Sequence, residues 1–175
     1  LINSSGIALT GFIYDEITLD SSKWIKANKE EKWGFINRQG KEKLTLKYDA
    51  IGEFKYGKFC FSINGKWGIS DTSGKNILSP KYDSIQFITS STYKANFKGK
   101  WGIKNSTGKW IVEPKFSLIG KLNEGLLSFS SSGKFGFMDT NGVVKIQPRM
   151  DAVNFFINGK CLISKNKKWT YINKS

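Results

Sequence analysis

The feature that most constrains this chain is a 34-residue period that runs through its whole length. An aromatic residue followed by glycine recurs at this spacing, and four further columns of similar residues keep the same register without an insertion. Such a period indicates a tandem repeat, in which each unit buries its apolar surface against its neighbours. The aromatic column comprises Trp33-Gly34, Trp67-Gly68, Trp101-Gly102, Phe135-Gly136 and Trp169-Thr170. The other columns are Tyr14-Asp15, Tyr48-Asp49, Tyr82-Asp83, Phe116-Ser117 and Met150-Asp151; Ile17, Ile51, Ile85, Ile119 and Val153; Gly6, Gly40, Gly74, Gly108 and Gly142; and Lys32, Lys66, Lys100, Lys134 and Lys168.

The period also predicts the domain organisation. Five periods of 34 residues account for all but five of the 175 residues. We therefore predict a single repeat domain over 1–175, with no linker and no second domain. Its units are predicted at approximately 1–32, 33–66, 67–100, 101–134 and 135–168, with a terminal strand over 169–175.

Each unit is predicted to form a β-hairpin or meander. Residues 58–63 alternate and are rich in aromatic side chains, which is typical of a strand. Asn64-Gly65 then favours a two-residue turn, because both residues tolerate a positive φ. Residues 66–70 give the return strand, and a turn from Asp71 to Gly74 leads to a third strand that meets Pro80. Helical periodicity is absent, so the predicted fold class is all-β.

The aromatic column is interpreted as a packing device. We expect Trp67 and Ile69 to share a face of the hairpin with Phe59 and Phe61. Gly68 then points to the opposite face and leaves room for a neighbouring backbone or ring to approach. A row of exposed rings that stack on sugars or bases is the less favoured interpretation, since Phe135 replaces tryptophan without breaking the register.

Residues 32–41 read Lys-Trp-Gly-Phe-Ile-Asn-x-x-Gly-Lys, with Tyr48-Asp49 downstream, and the pattern recurs at 66–75, 100–109 and 134–142. This sequence resembles the WG (KWG) repeat family over its whole length. The resemblance implies a bacterial-type β repeat protein with a variable number of copies. It also implies that the shared positions are structural and that none is catalytic.

Two arrangements of the repeats are compatible with the pattern. In an open, solenoid-like array each unit contacts only its neighbours. A closed five-bladed β-propeller needs about four strands in each blade, and blades usually have about 40–45 residues. The shorter period and the variable copy number of the resembled family favour the open array.

The charge is strongly positive, with 28 Lys and Arg residues against 14 Asp and Glu residues and a net charge of +14. A positive stripe along the array would bind a polyanion such as nucleic acid or an anionic glycan. Aspartates such as Asp49 lie two residues beyond a recurring cation and are expected to neutralise part of this positive stripe. Two columns supply these cations, one of Lys32, Lys66, Lys100, Lys134 and Lys168, and one of Lys47, Lys81, Lys115 and Arg149.

Several aromatic residues lie outside the repeat columns. Exposed tryptophan and tyrosine side chains concentrate in protein-binding hot spots, whereas buried ones fill the core. Both interpretations stay open for these residues, although core filling is favoured for Trp24. The candidates for partner contact are Trp24, Tyr56, Phe97, Trp110 and Phe155 or Phe156.

The composition argues against most enzymatic chemistry. Without histidine there is no Ser-His-Asp or Cys-His machinery, and no histidine-based metal site. We predict no catalytic residue, no metal and no cofactor. Cys60 and Cys161 are interpreted as two unlinked core residues, with a disulfide as the alternative. No apolar run approaches the roughly 20 residues of a membrane span, and no signal peptide is visible.

The sequence therefore predicts a non-enzymatic binding or scaffold module. The first hypothesis is a protein–protein interaction surface, because the chain combines a repeat architecture with aromatic residues outside the repeat columns. Polyanion binding through the columnar lysines is the alternative, and glycan recognition by exposed rings is a third possibility. The sequence predicts neither a cellular compartment nor an oligomeric state.

Overall fold

A computed structural model describes residues 4–8, 11, 13–19 and 24–174. These residues contain antiparallel β-sheets and no helix, which confirms the all-β prediction. The predicted turn from Asn3 to Gly6 lies partly outside them. The strands are β1 (Glu16–Leu19), β2 (Ile25–Lys29), β3 (Lys32–Ile36), β4 (Glu42–Tyr48), β5 (Ala50–Lys55), β6 (Lys58–Ile63), β7 (Lys66–Asp71), β8 (Asn76–Tyr82), β9 (Ser84–Phe87), β10 (Thr92–Phe97), β11 (Lys100–Asn105), β12 (Trp110–Phe116), β13 (Leu118–Asn123), β14 (Leu126–Ser131), β15 (Lys134–Met138), β16 (Val144–Met150), β17 (Ala152–Ile157), β18 (Lys160–Lys165) and β19 (Lys168–Asn173).

The strands form five small sheets in tandem, each a meander in which consecutive strands are neighbours. Sheet I contains β1–β4, sheet II β5–β8, sheet III β9–β12, sheet IV β13–β16 and sheet V β17–β19. None of the sheets closes on itself. The described strands thus confirm the predicted tandem array of meander repeats. The choice between an open array and a closed ring of five blades stays a prediction.

The sheets begin and end at other residues than the repeat units, whose predicted boundaries lie at the aromatic-glycine column. Each new sheet begins just after the second column, and Asp49, Asp83, Ser117 and Asp151 lie between consecutive sheets. The backbone N–H of Asp49 donates to the carbonyl of Ser62 in the next sheet at 2.9 Å, and the other junctions repeat this bond. The sequence period therefore gives the repeat length, whereas strand pairing decides where one sheet ends.

The chain divides into two compact units, 1–81 and 82–175. In the first unit, the aromatic rings of Phe35, Tyr48, Phe59 and Phe61 form a buried cluster. In the second unit, one core packs sheet III against sheet IV and another packs sheet IV against sheet V. The prediction of a single domain over 1–175 stays a prediction.

The turn chemistry follows the sequence. Asn64 and Gly65 both have positive φ, at 51° and 69°, as a two-residue hairpin turn requires. In the following turn the Asp71 carboxylate accepts bonds from the backbone N–H groups of Ser73 and Lys75 at 2.8 and 3.0 Å. Gly74 closes it in the left-handed conformation, with φ 87°. The predicted Asx turns are confirmed here and recur at Asn37, Asn105 and Asp139.

The expected sharing of faces within the hairpin is wrong. Phe61 lies opposite Gly68 in the pairing of β6 with β7, whereas Ser62 lies opposite Trp67. Phe59 and Phe61 therefore share a face with Gly68, and Trp67 lies on the other face with Cys60 and Ser62. The two-residue turn fixes this register, and a shift of one residue exchanges the faces of a strand.

The glycine of the aromatic column does admit a close approach, as predicted. A Cβ on Gly68 would lie 2.5 Å from the carbonyl oxygen of Leu78 and 2.9 Å from the Phe61 ring. At Gly102 the corresponding distances are 2.5 Å to the Val112 oxygen and 2.8 Å to the Trp110 ring. The glycine therefore makes room for the backbone of the fourth strand, and at Gly102 the register of β12 with β11 shifts between Trp101 and Ile103.

Cys60 and Cys161 are both buried, and neither forms a disulfide. Each lies in a different unit, Cys60 on β6 and Cys161 on β18. Their prediction as core residues is confirmed. Burial raises the pKa of the Cys60 thiol to about 12, so the thiol stays protonated at neutral pH.

Candidate functional site

The aspartates of the second column pair with a different lysine column from the one expected. The Lys32 ammonium donates to the Asp49 carboxylate at 2.7 Å, and Lys134 pairs with Asp151 in the same way. The other carboxylate oxygen of Asp49 accepts a bond from the backbone N–H of Asn64 at 2.5 Å. Each aspartate thus caps the hairpin turn of the sheet that follows it.

These contacts hold the pKa of the Asp49 carboxyl below its ordinary value of 3.8. The hydrogen bond from Lys32 is the largest cause, and the backbone bond from Asn64 is the next. The Asp151 carboxyl has a lowered pKa for the same reasons, with Lys134 and Asn166 as donors. The ion pairs and backbone bonds of Asp49 and Asp151 therefore link consecutive sheets that belong to the same compact unit.

We expect Asp49→Asn to destabilise the protein at neutral pH and to lose this effect in acid. A carboxyl with a lowered folded pKa contributes stability above its unfolded pKa, and that contribution disappears as the pH falls through the folded value. Urea unfolding at a series of pH values should show the two proteins converging below about 3.8. About 1 M salt should also shrink the difference, because it screens exposed charges. A difference that persists unchanged in acid would contradict this account.

The predicted cation column remains exposed. Lys47, Lys81, Lys115 and Arg149 each lie on the fourth strand of sheets I to IV and are all exposed. Lys47 and Lys115 extend beside the rings of Tyr48 and Phe116, at 5.5 and 5.3 Å from the ring centroids. The repeat thus places one cation at the same position of each four-stranded sheet.

Most of the predicted aromatic candidates pack against other rings. Trp110 and Phe97 both contact the Tyr82 ring, with centroids 6.0 and 6.2 Å apart, and Trp24 packs on Phe35 at 5.7 Å. The Lys104 ammonium also lies 3.8 Å from the centroid of the Trp110 ring. Tyr56 is different, because it is exposed at the turn between β5 and β6.

Sheet V presents a further set of exposed apolar side chains. Trp169 is 60% exposed and Tyr171 is 68% exposed, whereas Ile103 and Phe137, at the position of Tyr171 in sheets III and IV, are buried. Phe155 and Ile157 on β17 are exposed as well, while Phe156 is buried in the core. A groove of about 720 Å³ is lined by residues that include Phe155, Ile157, Leu162 and Tyr171.

A comparison with protein families identifies the repeat. The description "WG containing repeat" matches four consecutive segments, 33–67, 67–101, 101–135 and 135–169. The chain belongs to this family. The resemblance seen in the Lys-Trp-Gly pattern is thereby confirmed.

Solved structures show a similar fold for these WG repeats. Hsv2 of Kluyveromyces lactis matches 87% of this chain and 57% of its own, with 12% identity and a TM-score of 0.50. A form of that protein with loop 6CD replaced by a Gly-Ser linker matches 90% of this chain and 63% of its own, at 12% identity and a TM-score of 0.51. A eukaryotic initiation factor matches 87% of this chain and 50% of its own, at 8% identity and a TM-score of 0.53. The chain thus spans about half to three-fifths of these proteins. No curated protein sequence matches the chain.

The sequence pattern does not predict the exposed side chains of sheet V. Trp169 belongs to the column interpreted as a packing device, and Tyr171 is not among the predicted partner contacts. A signal was present, because Thr170 replaces the glycine between them and so marks a sheet that departs from the common pattern. Within the described parts of the chain, no three His, Cys, Asp or Glu side chains gather as a metal site, and no helix is long and apolar enough to cross a membrane.

Proposed function

We propose that this WG-repeat chain is a non-enzymatic module that binds a partner protein through sheet V. The observation that carries the proposal is the exposed face formed by Phe155, Ile157, Trp169 and Tyr171. Exposed apolar groups that lie together mark interaction sites more often than scattered ones do. The repeat family and the fold support a binding or scaffold module.

The chemistry of the face favours a protein as the ligand. Trp and Tyr side chains have large rigid surfaces and a polar group, and they are enriched in binding hot spots. The groove beside Tyr171 is also lined by Asn154, Asn158 and Lys160, which supply polar groups around the apolar side chains. An apolar centre with a polar rim is the usual composition of a protein interface.

The double variant Trp169→Ala, Tyr171→Ala should weaken binding to a partner captured from the native host by about 100-fold or more, as expected for two hot-spot residues. The matched control is Val143→Ala, Val144→Ala, which removes exposed apolar groups of sheet IV. The control should bind like the wild type in a titration with the purified partner. Equal affinities for the two double variants would overturn the proposal.

Polyanion binding is the second candidate, and the exposed cation column supports it. Lysines bind phosphate as point charges, and their release of counterions makes affinity fall with salt. Retention on heparin with a linear log–log dependence on salt would favour this function. Replacement of Lys47, Lys81, Lys115 and Arg149 by Gln should then reduce the slope by about 3–4. No retention at about 50 mM salt would exclude it.

A further inference from the structure

A buried lysine lies in the second unit, apart from both surfaces described above. Lys94 on β10 is only 7% exposed. Its ammonium donates to the carbonyl oxygens of Ile119 and Gly120 on β13, at 2.7 and 3.1 Å. Lys94 therefore reaches from sheet III to the first strand of sheet IV.

The first unit contains a related contact. Lys26 occupies the same repeat position as Lys94, and its ammonium donates to the Gly52 carbonyl at 3.3 Å. Lys26 is only half-buried, however. The reach to the next sheet is thus common to both lysines, whereas deep burial is particular to Lys94.

Among the described residues, no acidic side chain pairs with the Lys94 ammonium. An ammonium group has three N–H donors, and the two carbonyls engage two of them. The Trp101 ring lies 5.3 Å from the ammonium, and Lys121 is the nearby charge that acts on it. Burial, followed by the charge of Lys121, lowers the pKa of the Lys94 ammonium. A buried charge without a counterion is costly, so an anion beside it would be bound favourably.

The space for such an anion is a groove of about 510 Å³. Lys94, Lys121 and Ser128 supply donors to it, and Trp101, Phe135 and Phe155 supply aromatic surface. None of the described residues that line this groove is acidic. A small number of polar groups within a mainly apolar wall is typical of a ligand site.

We propose that this groove binds a carboxylate that carries an apolar or aromatic group beside it. The carboxylate accepts hydrogen bonds from Lys94 and Lys121, while the apolar group packs on the aromatic wall. Two sources share this chemistry: an acidic side chain next to an aromatic residue in a peptide, and a small aromatic carboxylic acid. Phe155 also belongs to the exposed face of sheet V, but the proposal does not rest on binding there, because the donors Lys94 and Lys121 lie on sheets III and IV.

The test measures binding of the peptide acetyl-Gly-Asp-Phe-amide and of phenylacetate by calorimetry. Their uncharged counterparts are acetyl-Gly-Asn-Phe-amide and 2-phenylethanol. We expect at least one acid to bind about tenfold or more tightly than its counterpart, as a charge-assisted hydrogen bond implies. Binding of the peptide alone would identify a peptide as the source, and binding of phenylacetate alone would identify a small acid.

The variant Lys94→Met should abolish this preference for the acid. Lys26→Met is the matched control, since it removes the equivalent lysine from the other unit, and it should bind like the wild type. If Lys94→Met does not fold, the Cε resonance of Lys94 in the labelled wild type gives the same information. The bound acid should shift this resonance and raise the apparent pKa of the lysine. If each acid bound no more tightly than its uncharged counterpart, or if the Lys94 resonance did not respond, the proposal would be overturned.

Discussion

Replacing Gly102 by alanine should destabilise the second unit by about 3 kcal/mol, the upper part of the range for an overpacked core. The new Cβ would lie 2.5 Å from the Val112 carbonyl oxygen and 2.9 Å from the Pro114 nitrogen. Both atoms belong to the backbone of β12, which cannot move without disturbing its pairing with β11. Urea unfolding followed by circular dichroism measures the loss.

Gly99→Ala is the matched control, because it adds the same methyl group in the same unit. Gly99 has φ 76° and no atom within 4 Å of the added Cβ. It should therefore lose only the roughly 1 kcal/mol that a left-handed conformation costs a residue with a side chain. If the two variants were equally stable, the close approach of the fourth strand would not be the reason for glycine in this column.

The second large effect is expected at the aromatic core of the first unit. Phe59 is fully buried, and its ring packs edge-on against Phe35 and Tyr48, with centroids 5.0 and 5.6 Å apart. Phe59→Ala removes these contacts and leaves a cavity, so it should lower the free energy of unfolding by about 4 kcal/mol. Thermal and urea unfolding should both detect the change.

Tyr56→Ala gives the comparison within the same hairpin. Tyr56 is exposed at the turn, so its removal should change the free energy of unfolding by no more than about 0.5 kcal/mol. A similar loss from both substitutions would show that the buried ring cluster does not dominate the stability of this unit. The same variant also tests Tyr56 as a partner contact, because a binding defect would then appear without a folding defect.

The lysine partner of Asp49 cannot be predicted from the residues that neighbour it along one strand. Asp49 lies two residues from Lys47, and this spacing predicts that the two charges neutralise each other locally. The structure instead pairs Asp49 with Lys32, because β3 and the end of β4 are brought together in sheet I. The Asp49 carboxylate therefore links sheets I and II, and Lys47 stays exposed.

Lys94 illustrates the same limit at the candidate groove. The other four repeats have Lys26, Cys60, Ser128 and Leu162 at the position of Lys94. The position therefore forms no column of similar residues that would single out Lys94. Its burial depends on the approach of β13 in sheet IV, where the carbonyls of Ile119 and Gly120 accept its hydrogen bonds. This approach is not visible in a pattern of residues along one strand.

The sequence by itself determined the repeat length, the all-β class, the turns and the need for glycine in the aromatic column. These properties depend on local backbone conformation and on a period that the sequence repeats, so they can be derived without tertiary contacts. Only the tertiary structure decided which face Phe61 and Trp67 occupy, where each sheet ends, and why Tyr171 is exposed while Phe137 is buried. The physical reason is that the burial of a side chain depends on the register of its strand and on which sheet covers its face. Similar residues at one repeat position differ in these two conditions.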